Sequence, residues 1–170
     1  VDAVKFQSFV PENLVSHYAP KAEYQKKNDD NGSQLDMLKK LALTEAEYLE
    51  LVKYAKMLDI QIFSTPFDFE SFSFLQRIGQ NIWKIPSGEI TNLPYLEKIA
   101  AIECQNKQVI LSTGMSTVDE IIYAINILKE SPKTNFTILH CNTQYPTEPK
   151  DMNLRALKQL KKLAPNWNIG

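Results

Sequence analysis

Five apolar segments of this chain each run into polar, reactive side chains at their C-terminal end, and a helix-forming stretch follows nearly every one. Residues 2–7 lead into Ser8, 60–64 into Thr65-Pro66, and 82–85 into Pro86-Ser87-Gly88-Glu89. Residues 109–111 lead into Ser112-Thr113-Gly114, and 136–139 into His140-Cys141-Asn142-Thr143. Continuous Val/Ile/Leu runs mark parallel strands covered on both faces, and parallel β/α barrels carry their chemistry at the C-terminal ends of the strands. The place of an active site is therefore readable before its chemistry is.

Strand starts near residues 60, 81, 108 and 136 recur at close to the ~30 residues per unit of a (β/α)8 TIM barrel. Trp167-Asn168-Ile169-Gly170 has the composition of one more strand beginning. Between strands the apolar period turns helical. Ile121, Ile122, Ile125 and Leu128 follow a Thr117/Glu120 capping box, and Leu49, Val52 and Ala55 follow a Thr44/Glu47 box. Leu154, Leu157 and Leu160 follow Asn153 in the same way. The expected class is α/β.

The first interval is about twice as long as the others, and only the stretch 45–58 reads as a full helix within it. The surplus, residues 10–40, is read as an inserted loop region. It holds Pro11, Pro20 and a polar run over 26–33 whose composition disfavours packing. On a barrel such an insertion leaves the catalytic face, where long loops contact ligands. Five strands and the start of a sixth leave a barrel with an open edge of backbone groups. The expectation is an incomplete TIM barrel belonging to a longer protein.

Composition excludes several functions. The 170 residues carry 19 basic and 20 acidic side chains, a formal net charge of −1, so no global field draws the chain to nucleic acid or to an anionic membrane. No apolar run approaches the ~20 residues of a membrane span, and a cytoplasmic location is expected. Cys104 and Cys141 are the only cysteines, without zinc-site spacing around them, and read as free thiols.

A lysine inside an apolar strand costs desolvation energy unless it meets an anion or snorkels past an edge. Lys5 and Lys84 are two such lysines on separate strands. Around them Ser64, Thr65, Ser87, Ser112 and Thr113, with Gly88 and Gly114, form the inventory of a phosphate or carboxylate cradle. Glu89 is the one carboxylate at a strand exit in this cluster, either a general acid/base or a carboxylate at the start of the next helix. His140 reads either as a ligand or as a core histidine with one satisfied nitrogen. Two distant histidines and no acidic cluster make a metal site within these residues poorly served.

The strings Val4-Lys5-Phe6-Gln7, Phe63-Ser64-Thr65-Pro66-Phe67-Asp68, Trp83-Lys84-Ile85-Pro86-Ser87-Gly88-Glu89-Ile90, Leu111-Ser112-Thr113-Gly114-Met115 and Leu139-His140-Cys141-Asn142-Thr143-Gln144-Tyr145-Pro146-Thr147 resemble, in order and spacing, the sialic acid synthase family. The resemblance implies a TIM barrel, here its strands 2 to 6 and the start of strand 7, that condenses phosphoenolpyruvate with an N-acylated mannosamine-type sugar. It implies that Lys5, Thr65, Lys84, Ser87 and Ser112 hold phosphoenolpyruvate, and that Gln7, Glu89, Thr143 and Tyr145 face the sugar. Glu89 and Lys84 would be the catalytic pair. A divalent metal, Mn²⁺ or Mg²⁺, is implied with its main ligands outside these residues, as is a homodimer in the full-length protein. By the same resemblance, the family's first strand and its C-terminal antifreeze-like domain are expected to lie outside these residues.

Two other readings stay open on the residues alone. A desolvated Lys84 is also what a Schiff-base aldolase on the same barrel requires. A barrel that binds an anionic sugar without turning it over would present the same cradle. Among the sugars, N-acetylmannosamine and the 2,4-diacetamido-trideoxy hexoses that lead to legionaminate or pseudaminate differ only in peripheral groups.

Overall fold

Every strand expected from the apolar runs is present: β1 (Ala3–Ser8), β2 (Gln61–Pro66), β3 (Ile82–Ile85), β4 (Gln108–Ser112), β5 (Asn135–Leu139) and β6 (Asn168–Ile169). All pair in parallel, in two sheets ordered β1-β2 and β3-β4-β5-β6. The computed structural model describes residues 1–28 and 32–170 and divides into two units, 1–80 and 81–170. Parallel neighbours need crossover connections, and helices supply them.

In the first unit, α1 (Pro11–Leu14), α2 (Glu23–Asn28), α3 (Gln34–Leu41) and α4 (Glu45–Met57) lie between β1 and β2, and α5 (Phe69–Arg77) follows β2. The register pairs Lys5 with Phe63, Phe6 with Ser64 and Gln7 with Thr65. Because side chains alternate across a strand, Lys5, Gln7, Phe63 and Thr65 share one face. Phe6 lies on the other, where its ring meets Tyr48 of α4 edge-on at 6.0 Å, and Tyr48 meets Phe74 of α5 at 5.9 Å. Burial pushes the Tyr48 phenol up to about 12.

This parity corrects the expected cradle. Ser64 sits on the Phe6 face, its Oγ 2.8 Å from Ser8 Oγ, its N–H donating to Gln80 Oε1 (2.7 Å) and its carbonyl accepting from Gln80 Nε2 (2.9 Å). Its hydroxyl serves packing.

Two helical assignments also change. The segment 10–40, expected as a loop insertion, contains α1, α2 and α3; the part of its polar run at 29–31 lies outside the described residues. The missed signal is Ser33-Gln34-Leu35-Asp36, a capping box in which Asp36 N–H donates to Ser33 Oγ and the Asp36 carboxylate accepts from Ser33 N–H. Aspartate in place of the usual Glu or Gln hid it. In α4 the buried stripe is Tyr48 and Ala55 rather than one starting at Leu49, which is 38% exposed.

Asp68 is the joint of this unit. Its carboxylate accepts from Ser71 N–H (2.7 Å) and Ser71 Oγ (3.0 Å) at the start of α5, and from Val10 N–H (2.7 Å) just past β1. One side chain thus starts a helix and ties the chain leaving β1. Asp68→Ala removes a helix cap and leaves the Val10 donor without its carboxylate. The expected loss is about 2 kcal/mol, read as a lowered urea midpoint.

In the second unit, a 3-10 turn (Ser87–Glu89) and α6 (Leu93–Ala100) follow β3, α7 (Val118–Leu128) follows β4, and a 3-10 turn (Pro149–Asp151) and α8 (Ala156–Leu163) follow β5. Trp83, Ile85, Val109, Leu111 and Ile138 are fully buried on one face of the sheet. Leu96 and Ile99 of α6 and Ile121, Ala124 and Leu128 of α7 complete this core. The expected boxes at Thr44/Glu47 and Thr117/Glu120 both form. Helix α8 starts at Ala156 rather than after Asn153, whose φ of 39° breaks the turn and leaves Leu154 63% exposed.

Just before β4 stands a residue the sequence did not single out. Lys107 is 1% exposed, and its ammonium donates to the carbonyls of Ile99 (2.6 Å), Ala100 (3.1 Å) and Ile102 (2.8 Å) and to Ser131 Oγ (2.7 Å). It caps the C-terminal end of α6, where a cation meets the negative pole of the helix. Burial draws its pKa below the ordinary lysine value, against the field of Cys104.

Candidate active site

At the C-terminal end of the second sheet, the face opposite the core carries Lys84 of β3 and Ser112 of β4. Lys84 pairs in register with Ile110, and Ser112 lies two residues on along the same face. The Lys84 ammonium donates to Ser112 Oγ (2.5 Å) and to the carbonyl of Ile85 (2.9 Å). A half-buried ammonium and a buried hydroxyl therefore lie side by side at two strand ends.

The turn after β4 closes on the turn after β3. Ser87 Oγ accepts the Gly114 N–H at 2.8 Å. A methyl placed on Gly114 would lie 2.9 Å from Ser87 Oγ, 3.2 Å from the Thr143 methyl and 3.3 Å from the Cys141 carbonyl oxygen. Only glycine admits this approach, so Ser87, Gly114, Cys141 and Thr143 form one wall. Thr113 is spent on structure: its N–H and Oγ1 both donate to the Leu139 carbonyl, at 3.1 and 2.9 Å. That corrects its place in the expected cradle and pins the strand end of β4 to that of β5.

Glu89 is placed by the start of α6. Its Oε2 accepts from Asn92 Nδ2 (2.6 Å), and Asn92 Oδ1 in turn accepts the Tyr95 N–H as the helix cap (3.3 Å). Burial first, and then the Glu89 carboxylate, push the Tyr95 phenol above its usual range. The carboxylate is half-buried and held in one orientation, which suits either of the roles read from the sequence.

Beyond β5, Thr143 and Tyr145 are exposed, Tyr145 to 69%. His140 Nε2 lies 2.7 Å from the Met152 carbonyl oxygen, so one of its ring nitrogens has a partner. Cys141, read from sequence only as a free thiol, donates its S–H to Ser112 Oγ at 3.3 Å. It stands past the end of β5, where strand alternation no longer applies, so no periodicity pointed to it.

In the first unit, Lys5, Gln7 and Thr65 share the sheet face opposite Phe6; Thr65 is buried, Lys5 and Gln7 are exposed. Leu38, Leu41 and Leu43 form the other wall of a groove that Lys5 and Gln7 line. Its neighbours partly desolvate the Lys5 ammonium and lower its pKa. A cation so placed gains from meeting an anion.

Among the described residues no three His, Cys, Asp or Glu side chains come together as a metal site, and no helix is long and apolar enough to cross a membrane.

Comparison with known proteins bears on this arrangement. The model of the NeuB family matches residues 1–170. The N,N'-diacetyllegionaminic acid synthase of Campylobacter jejuni is 49% identical over 163 residues, covering 94% of this chain and 48% of that protein. The protein of the same name from Legionella pneumophila is 42% identical over 164 residues, covering 94% and 45%. The crystal structure of the N-acetylneuraminic acid (sialic acid) synthetase of Leptospira borgpetersenii in complex with citrate superposes with a TM-score of 0.80 at 31% identity, covering 100% of this chain and 53% of that one. The chain spans about half the length of the relatives it matches.

Proposed function

The chain belongs to the NeuB family, and on that premise we propose that it serves the condensation of phosphoenolpyruvate with an N-acylated hexose and water, giving a sialic-acid-type sugar and inorganic phosphate. The observation that carries this reading is the Lys84 ammonium beside Ser112 Oγ, next to the Ser87–Gly114 wall. Phosphoenolpyruvate bears two anionic groups, and a cation with flanking hydroxyls at strand ends is what such a ligand demands. We assign Lys84, Ser87 and Ser112, and in the first unit Lys5 and Thr65, to phosphoenolpyruvate. Gln7, Glu89, Thr143 and Tyr145 are assigned to the sugar. The solved relative crystallised with citrate, itself a polycarboxylate anion, supports an anion-binding role for this fold. The architecture that fits is a TIM barrel of which these residues form part.

In this reaction C3 of phosphoenolpyruvate attacks the aldehyde carbon of the sugar, water adds to the oxocarbenium carbon left at C2, and phosphate departs by C–O cleavage. Glu89, held by Asn92, is positioned to carry the proton of the attacking water. Lys84 and the serines hold the phosphate and carboxylate still, which supplies rate through orientation. Mn²⁺ or Mg²⁺ is the metal we propose, with its main ligands outside these residues. The proposed setting is the cytoplasm, and the proposed assembly of the full-length protein a homodimer.

Among the candidate sugars, two relatives named as N,N'-diacetyllegionaminic acid synthases favour a 2,4-diacetamido-trideoxy hexose over N-acetylmannosamine. The groove wall of Leu38, Leu41 and Leu43 beside Gln7 is an apolar surface suited to acyl methyl groups. The test offers the full-length protein phosphoenolpyruvate, metal and each sugar in turn. Mass spectrometry should find the condensation product, with the diacetamido sugar the faster substrate. Phosphate release without any sugar, or a borohydride-stable pyruvate adduct on Lys84, overturns the reading.

Lys5 sets a pH dependence. Its pKa lies below the ordinary lysine value through desolvation, so the charge that attracts phosphoenolpyruvate is lost earlier on the alkaline side than for a solvated lysine. KM for phosphoenolpyruvate should therefore rise as pH climbs through that pKa. Lys5→Arg, whose guanidinium stays charged, should remove this part of the limb in initial-rate profiles taken from neutral to about pH 10.

A further inference from the structure

Ser112 Oγ accepts two hydrogen bonds, from the Lys84 ammonium at 2.5 Å and from the Cys141 thiol at 3.3 Å. A serine hydroxyl has two acceptor lone pairs and one proton. With both lone pairs engaged, its proton is left one direction, away from Lys84 and Cys141. We infer that Cys141 is a positioning residue: its S–H occupies the second lone pair of Ser112 and so turns the serine hydroxyl into a fixed donor toward an oxygen of phosphoenolpyruvate. This rests on the assignment of Ser112 to that ligand.

The backbone holds the thiol in place. Thr113 N–H and Oγ1 both donate to the Leu139 carbonyl, locking the end of β4 to the end of β5, and Ser112 pairs in register with Leu139. Two residues beyond Leu139, the Cys141 carbonyl lies 3.3 Å from where a Cβ on Gly114 would stand, so the chain there runs against the β4 turn. The thiol reaches Ser112 from a fixed support rather than from a wandering loop.

The size of the effect follows from the rotor. With Lys84 still holding one lone pair, a hydroxyl released by the thiol has two directions left and spends about half its time in the productive one. Fixing it is worth about twofold in affinity, and polarisation along the Cys141–Ser112 chain adds to that. The whole effect is roughly a two- to fivefold change, confined to the ligand that Ser112 touches.

The experiment compares C141V, C141S, S112A and the double variant S112A/C141V in the full-length protein. Valine keeps the volume and removes the S–H, while serine keeps a donor. C141V should raise KM for phosphoenolpyruvate roughly two- to fivefold, with kcat and KM for the sugar unchanged. C141S should restore most of the loss, and C141V should add nothing in the S112A background. An unchanged KM for phosphoenolpyruvate in C141V, an equal penalty with and without Ser112, or a C141S as impaired as C141V overturns the inference. If valine lowers the melting temperature enough to unfold the protein, C141A carries the same comparison. Should S112A itself leave KM for phosphoenolpyruvate unchanged, the ligand assignment fails, and that result is distinct from a failure of Cys141 alone.

Discussion

Lys84→Ala in the full-length protein should lower kcat/KM for phosphoenolpyruvate, the substrate proposed above, by roughly thirtyfold or more. The ammonium is half-buried and already aimed by the Ile85 carbonyl and Ser112 Oγ, so little ordering remains to be done when the anion arrives. Removing one partner of a buried, hydrogen-bonded charge pair costs about 2–5 kcal/mol, which at 1.4 kcal/mol per tenfold spans roughly thirtyfold to several thousandfold. Lys84→Arg should recover little, because a planar fork cannot replace a point charge between a carbonyl and a hydroxyl. Steady-state kinetics at saturating sugar measure the loss. Activity within threefold of the parent would remove Lys84 from the site, and with it the main support for the proposed reaction.

Lys107→Met should produce the other large effect, on stability instead of turnover. Three N–H donors serve four acceptors in a place closed to water, and methionine fills the volume while leaving the Ile99, Ala100 and Ile102 carbonyls and Ser131 Oγ without that donor. Buried acceptors left unsatisfied cost about 1–3 kcal/mol each, with partial relief by rearrangement. We expect a loss on the order of 3–5 kcal/mol, seen as a lower urea midpoint with an unchanged m-value. Lys107 precedes β4 and Ser112 ends it, so the KM for phosphoenolpyruvate of the protein that remains folded should not move. A raised KM without a lowered midpoint would contradict the structural role.

The two lysines show what was legible in the sequence. Lys84 could be found because it interrupts an apolar strand and precedes Ser87-Gly88-Glu89, an inconsistency that local rules expose. Lys107 stands in a polar turn, among Gln105, Asn106 and Gln108, where a lysine looks ordinary. Its burial comes from α6 and Ser131, contacts that no local pattern encodes. The strands and two of the capping boxes were readable for the same local reason. Ser64 was misplaced because strand parity decides which face a hydroxyl takes, and its neighbour Thr65 took the other. Cys141 escaped because its meaning lies wholly in its approach to Ser112.

In the second sheet β4 pairs with β3, β5 with β4 and β6 with β5, so each strand docks on the one made immediately before it. Such an order lets the sheet grow by accretion as the polypeptide leaves the ribosome. Each new β/α segment closes one modest loop onto an existing edge. The Thr113 clasp on Leu139 would then be laid down as soon as β5 emerges, before later parts of the chain have emerged to compete for that edge.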